Sequence, residues 1–153
     1  MLNNKKSTIV SISVCYFIGA VLLFFTFFGV RVFVSYMTDF RGYDAAVTEG
    51  LKKVFIFCFY PCDAFAGVIL VGLLRLLYNI RNDKVFVLQN VNCLELVSWC
   101  CFAITLITLV GGIYYMPFWF VSAAAGFVGM LLRVLKNVLH TAVEISQENA
   151  LTI

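Results

Sequence analysis

Four long apolar runs, separated by short polar stretches, constrain the fold of this chain more than any other feature. They cover about residues 8–34, 54–77, 94–116 and 118–140, and a helix needs about 20 apolar residues to cross a bilayer. Hydrophobic residues make up 63% of the chain and charged residues 12%, whereas soluble domains average roughly 45–50% and 25%. The surplus apolar surface requires lipid as its solvent. The sequence therefore predicts one all-α domain over residues 1–153, an integral membrane bundle of four transmembrane helices with cytosolic helical extensions.

The first run is predicted to be a retained span. Two lysines, Lys5 and Lys6, precede it, and a cationic start before an apolar run is also typical of a signal peptide. The apolar core of a signal peptide is only roughly 7–15 residues long. Thr8 to Val34 is much longer and is interrupted only by Arg31.

The connections between the runs differ in polarity. Residues 35–53 carry both charge signs, which predicts an ordered loop or a short interfacial helix. The segment from Arg75 to Glu95 is the most polar interior stretch and predicts a water-facing hairpin between the second and third spans. Gly111, Gly112 and Pro117 predict a tight, uncharged turn between the third and fourth spans.

Basic residues indicate the orientation. With four spans, the termini and the hairpin share one side, which holds Lys5, Lys6, Arg75, Arg81, Lys84, Arg133 and Lys136. The opposite side holds Arg31, Arg41, Lys52 and Lys53. Cytoplasmic segments of membrane proteins are enriched in lysine and arginine, so both termini are predicted to be cytoplasmic.

Asp63 is the most informative single residue, because it lies well inside the second apolar run. Ionisable residues within spans are costly and frequently functional. One interpretation is a proton, ion or ligand site, with Arg31 as a candidate partner. The other is a carboxyl group that hydrogen-bonds to neighbouring helices for packing alone.

The cysteines and the histidine give little indication of enzymatic chemistry. The chain has 6 cysteines, mostly within apolar runs, and no CxxC pair. Cysteines in such positions usually behave as small hydrophobic residues. Cys58 and Cys62 are one helical turn apart, so a membrane thiol oxidoreductase stays a minor alternative. The single histidine, His140, lies in the tail, and no phosphate-binding loop is present. We expect no enzyme activity, no metal and no cofactor.

Small residues in the fourth run predict a close helix contact. Ser122 and Gly126, and Ala125 and Gly129, are spaced four residues apart. Small residues at that spacing let two helices approach closely in a membrane. We expect this face to contact another helix, either in this chain or in a second copy in a homo-oligomer.

Two stretches resemble a bacterial family of small four-span membrane proteins, domain of unknown function 2975. The first is Asn79-Ile80 followed by Phe86 and then Gln89-Asn90, and the second is the ending Gln147–Ile153. The family has no established activity. Its members are often encoded beside a small helix-turn-helix regulator, so the resemblance implies a bacterial cell-membrane protein that is a partner or sensor for such a regulator.

The chain departs from the family pattern at several places. Val87 stands where a helix-capping Ser or Thr is usual, and Ala150 stands where an Asp is usual. Asn92, Cys93 and Glu95 replace basic residues that are common there. These replacements weaken the expectation of a strongly cationic hairpin.

We expect a cytosolic binding face made by the hairpin and the tail. Its candidate residues are Arg75, Arg81, Lys84, Glu144 and Glu148. Opposite charges on these segments would dock on each other weakly, and a regulator could displace that contact. A simpler interpretation is that the charges anchor the helices at anionic lipid. A small transporter, channel or immunity-type protein is a further alternative. The net charge of +3 is too small to predict direct nucleic-acid binding.

Overall fold

Four long helices make up the fold. The structure, a computed structural model, describes the backbone of residues 2–82 and 87–151 and the side chains of residues 9–39, 41–44, 46–82 and 87–148. The helices are α1 (Leu2–Ser35), α2 (Ala45–Arg81), α3 (Leu88–Gly112) and α4 (Pro117–Leu151). All four are long and apolar enough to cross a membrane, so the prediction of an all-α, four-span protein is confirmed.

The helices pack in chain order. Cα atoms lie within 8 Å of each other between α1 and α2, between α2 and α3, and between α3 and α4. In the described chain, α1 does not approach α3 or α4 this closely, and α2 does not approach α4. The bundle is therefore an open row, in which α3 is the most buried of the four spans.

We call the end with the α2–α3 connection the hairpin side and the opposite end the turn side. On the turn side, aromatic rings join three helices across the open row. Phe33 stacks on Phe55 at 4.1 Å between ring centroids and meets Tyr115 edge-on at 5.7 Å. Phe55 also lies 6.2 Å from Phe118 at the start of α4. Tyrosine is enriched at membrane interfaces, so the position of Tyr115 fits the turn-side boundary.

The connection between α1 and α2 corrects the expectation for residues 35–53. A π-helix, Tyr36–Phe40, continues α1, and α2 begins at Ala45. Most of the predicted loop is therefore helical. Gly42 provides the turn with a φ of 62°, a left-handed conformation that glycine adopts without strain. At about 1.5 Å per residue α2 is roughly 55 Å long, so it projects beyond a hydrocarbon core of about 30 Å.

The small face of α4 lies against α3, as predicted, and the contact is within this chain. Ser122 Oγ donates to the carbonyl of Thr105 at 3.0 Å. Ser98 Oγ on α3 donates to the carbonyl of Gly129, also at 3.0 Å. A Cβ added at Gly129 would lie 3.2 Å from the Cβ of Cys101. Small residues thus let α3 and α4 approach until side-chain hydroxyls reach the opposite backbone.

Pro61 lies inside α2, which runs through it as one helix.

The helices extend beyond the predicted spans. On the hairpin side, α4 continues to Leu151, beyond the predicted end near His140. The apolar spacing of Leu135 and Leu139 continues to Val143, beyond the predicted end of the span, and Val143 is fully buried. The predicted helical extension of the tail is therefore present.

Candidate functional site

A groove opens between α2 and α3 on the hairpin side, with a volume of about 730 Å³. We call it the hairpin groove. Its lining mixes polar and apolar side chains, and most of the exposed lining surface is apolar. It is lined by Val71, Leu74, Arg75, Tyr78, Asn79, Gln89, Asn92, Cys93 and Leu96.

Hydrogen bonds between α2 and α3 hold the groove together. Asn79 Nδ2 donates to Asn90 Oδ1 at 2.7 Å, and Asn90 is only 1% exposed. One turn deeper in the membrane, the thiol of Cys93 donates to the carbonyl of Gly72 at 3.1 Å. A Cβ at Gly72 would lie 2.7 Å from a methyl group of Val97, so this position requires glycine for the close approach. The two walls of the groove are therefore held at a fixed spacing.

The basic residues predicted for the binding face occupy different places. Arg75 is exposed and lines the hairpin groove. Arg81 is exposed in the last turn of α2. Lys84 lies outside the described residues. The structure therefore brings Arg75, but not the whole predicted set, to a definite site.

The described residues show two ion pairs on α4, the helix that forms the tail. Glu144 lies 3.6 Å from Nδ1 of His140 on its own helix, and Glu148 is exposed one turn further on. The pair that joins the tail to the hairpin side is Lys136 Nζ with Glu95 Oε2, at 3.3 Å. Arg75 and Glu144 are not paired, because α4 packs on α3 rather than on α2.

Asp63 on α2 faces α1 inside the membrane. Thr26 Oγ1 lies 2.6 Å from Asp63 Oδ2 and donates to it, and the same hydroxyl lies 2.9 Å from the carbonyl of Leu22. Asp63 and Arg31, the candidate pair from the sequence, form no ion pair in the described part of the chain. On α1, Arg31 lies five residues beyond Thr26 toward the turn side, beside Lys52 and Val34. Thr26, rather than a cation, is the partner that packing supplies.

The pair lies in an open cleft between α1 and α2, with a volume of about 500 Å³, which we call the α1–α2 cleft. Apart from Asp63, Thr26 and Tyr16, its walls are apolar. The lining residues are Cys15, Tyr16, Gly19, Ala20, Leu22, Leu23, Thr26, Asp63, Gly67, Leu70, Val71 and Leu74. Val71 and Leu74 also line the hairpin groove, so both sites share one stretch of α2.

Comparison with known proteins identifies the family. A family model described as a protein of unknown function, DUF2975, matches residues 43–153. The chain belongs to this family. No curated protein and no solved structure matches it significantly. Asn79 and Asn90, two residues that carry the sequence resemblance, lie within the DUF2975 match and are hydrogen-bonded across the hairpin.

The cysteines of this DUF2975 member pack as small side chains. All six are free thiols, and Cys15, Cys58, Cys100 and Cys101 are buried. The thiol of Cys58 lies 3.8 Å from the carbonyl of Ile107 on α3, a contact that fits a packing role. Among the described residues, no three side chains of the metal-binding types come together.

Sequence reasoning missed two of the residues that form these sites. Thr26 lies outside the DUF2975 match, in an apolar run where a lone threonine carries no signal of its own. Its distance from Asp63 depends on the register of α1 against α2. Asn90 was recognised only as part of the family pattern, and the spacing of the two asparagines around a hairpin could have indicated their contact.

Proposed function

We propose that this DUF2975 member lies in the bacterial cell membrane with both termini in the cytoplasm, and that it docks a small helix-turn-helix regulator in the hairpin groove. The observation that carries the proposal is the groove itself. It is a cleft, spanned by hydrogen bonds between α2 and α3, at the end of the membrane domain where α4 also extends beyond the predicted spans.

The distribution of basic residues supports a cytoplasmic hairpin side. Arg75, Arg81 and Lys136 lie on the hairpin-side halves of α2 and α4, and Arg133 lies at the middle of α4. Cytoplasmic ends of spans carry an excess of lysine and arginine. The orientation places the hairpin groove in the compartment that holds DNA-binding regulators.

The chemistry of the groove suits a protein partner. Arg75, Gln89 and Asn92 are exposed, and Tyr78 is 60% exposed. Tyrosine and arginine are enriched among the residues that contribute most to protein–protein binding. The amide groups offer both donors and acceptors. Exposed apolar surface next to polar side chains is typical of protein interfaces.

The family context favours a regulator as the partner. The resemblance implies a nearby small helix-turn-helix protein, and such a protein has surfaces other than its DNA-binding helix with which to contact the groove. Docking would hold the regulator at the membrane, away from its DNA. A signal that changes the spacing of α2 and α3 would then release it.

Transport is the second candidate function, and Asp63 is the observation that favours it. Ionisable side chains within spans frequently mark substrate or ion pathways. The α1–α2 cleft places this carboxyl in an accessible position. A channel or an immunity-type protein belongs to the same class of alternatives, whereas a thiol oxidoreductase is disfavoured by the burial of Cys58, Cys100 and Cys101.

A binding measurement tests the docking proposal. The protein is reconstituted in lipid nanodiscs, and purified small helix-turn-helix regulators from the same genome are titrated against it. Arg75→Ala and Asn92→Ala should weaken binding about ten-fold or more if the groove is a hot spot. Arg41→Ala is the matched control, since Arg41 lies on the turn side, where its hydrogen bonds to Tyr36 and Tyr43 raise the pKa of its guanidinium.

Two outcomes would overturn the docking proposal. One is binding by the groove variants that equals binding by the Arg41→Ala control. The other is unchanged regulated transcripts in cells after the groove substitutions and deletion of residues 147–153. In that case the basic residues serve only to anchor the helices at anionic lipid.

A further inference from the structure

We propose that the α1–α2 cleft binds a hydrophobic organic cation that enters from the lipid, with the carboxylate of Asp63 as its counter-charge. The proposed site lies between α1 and α2, whereas the hairpin groove lies between α2 and α3, although Val71 and Leu74 line both. This inference does not depend on the regulator proposal.

The carboxylate of Asp63 can accept further hydrogen bonds. The hydroxyl of Thr26 has one hydrogen, and two oxygens lie within reach of it: Asp63 Oδ2 at 2.6 Å and the carbonyl of Leu22 at 2.9 Å. An ionised carboxylate has about four acceptor positions, so a single shared hydroxyl satisfies a small part of them. Asp63 forms no ion pair with any described basic side chain.

Because Asp63 lies deep in the membrane, leaving its acceptor positions unfilled is costly. Asp63 lies eight residues along α2 from Phe55 of the turn-side aromatic cluster, or about 12 Å at the rise of a helix. Water is scarce at that depth. A charged aspartate there costs roughly 2.5–3.5 kcal/mol on insertion scales. A bound cation would offset that cost.

The shape of the cleft suits a bulky apolar body. At Gly67 an added Cβ would meet no atom within 4 Å, so the wall opens there. Tyr16 and Leu23 on the rim are 68% and 64% exposed. Both residues lie within the first span, so the cleft opens sideways to lipid. A ligand can therefore enter without crossing the bilayer.

The donor set selects an organic cation over a metal ion or an anion. Calcium and magnesium take about six or more oxygen ligands, whereas the side chains of this cleft offer only Asp63, Thr26 and Tyr16. An anion would be repelled by the carboxylate. A hydrophobic cation satisfies both the carboxylate charge and the apolar walls.

Two probes of nearly equal shape and opposite charge test the proposal. Tetraphenylphosphonium is a hydrophobic cation, and tetraphenylborate is the corresponding anion. Each is titrated by calorimetry against the whole protein in nanodiscs, with empty nanodiscs subtracted. We expect saturable binding of the phosphonium, one per chain, and only partitioning of the borate.

Substitutions then locate the site. Asp63→Asn keeps the shape of the side chain and should weaken phosphonium binding about ten-fold or more, as expected for the loss of one close charge pair. Asp44→Asn is the matched control, because Asp44 is exposed and its side chain makes no capping hydrogen bond. Gly67→Leu keeps the carboxyl, fills the open wall and should also abolish binding.

Several results would overturn the proposal. Equal saturable binding of both probes would mean that shape alone is recognised, and unchanged phosphonium binding by Asp63→Asn would place the site elsewhere. If Asp63→Asn does not fold, Gly67→Leu decides, and normal binding by that folded variant excludes the cleft. Regulator binding measured on the same samples tests the docking proposal separately.

Discussion

Asn79 Nδ2 donates to Asn90 Oδ1 at 2.7 Å, and this bond closes the α2–α3 hairpin from the membrane side. The two residues lie on opposite arms of the hairpin, and Asn90 is almost fully buried. A hydrogen bond between buried amides is costly to leave unmade. The hairpin thus has a fixed closure point that lies directly beside the groove proposed to bind a partner.

Replacing Asn90 with alanine should destabilise the hairpin. The change removes the acceptor of the half-buried Asn79 amide, at a cost of about 1–3 kcal/mol. Thermal unfolding in detergent would show a lower midpoint. Asn92→Ala is the control, since Asn92 is an exposed asparagine on the same helix. Equal stability of the two variants would show that the 2.7 Å bond contributes nothing.

Leucine at Gly129 should force α3 and α4 apart. Cys101 and Phe102 lie within 3.2 and 3.4 Å of the added Cβ, so the larger side chain would overpack the interface by about 1–3 kcal/mol. Gly126→Leu should cost less, because the nearest atom there, from Thr105, is 3.4 Å away.

The readout is the free energy of unfolding in detergent, together with the oligomeric state from light scattering. Gly50→Leu is the control, since no atom lies within 4 Å of a Cβ at Gly50. A change confined to the oligomeric state would contradict the expectation, because it would mean that this face contacts a second copy.

Charge exchange at Lys136 and Glu95 should leave the fold almost unchanged. The two side chains are 22% and 40% exposed, and partly exposed pairs are worth about 0–1 kcal/mol. Lys136→Glu alone should destabilise slightly by placing two carboxylates together, and adding Glu95→Lys should restore stability. A double-mutant cycle measures the coupling, and failure of the exchange to rescue would mean that this pair does not join α4 to α3.

Single cysteines should report the orientation of the helices. Asn82→Cys, at the end of α2, is expected to resist a membrane-impermeant maleimide in intact cells, whereas Tyr43→Cys should react. Both are built with the half-buried Cys62 and Cys93 replaced by alanine. Permeabilised cells are the control, in which both positions should react. Labelling of position 82 alone from outside would show that the orientation is opposite to the proposed one.

The polar contacts show where sequence reasoning succeeds and where it ends. Asp63 could be singled out from the sequence, because a charge inside an apolar run is conspicuous. Its partner could not, because Thr26 and Arg31 are both near the right depth and only the register of α1 against α2 selects between them. Likewise, Glu95 and Lys136 were visible as charges, but their pairing depends on α4 packing against α3.

The sequence by itself determined that this is a membrane protein, that it has four helices, and where the polar hairpin and the tight turn lie. These properties follow from the length and composition of local segments, which lipid converts directly into helices. The tertiary structure decided that the helices form an open row, that the small face of α4 contacts α3 of the same chain, and that a cleft exists beside Asp63. In lipid, apolar faces do not drive association, so the meeting of particular faces depends on small residues and hydrogen bonds such as those of Gly129, Ser122 and Thr26.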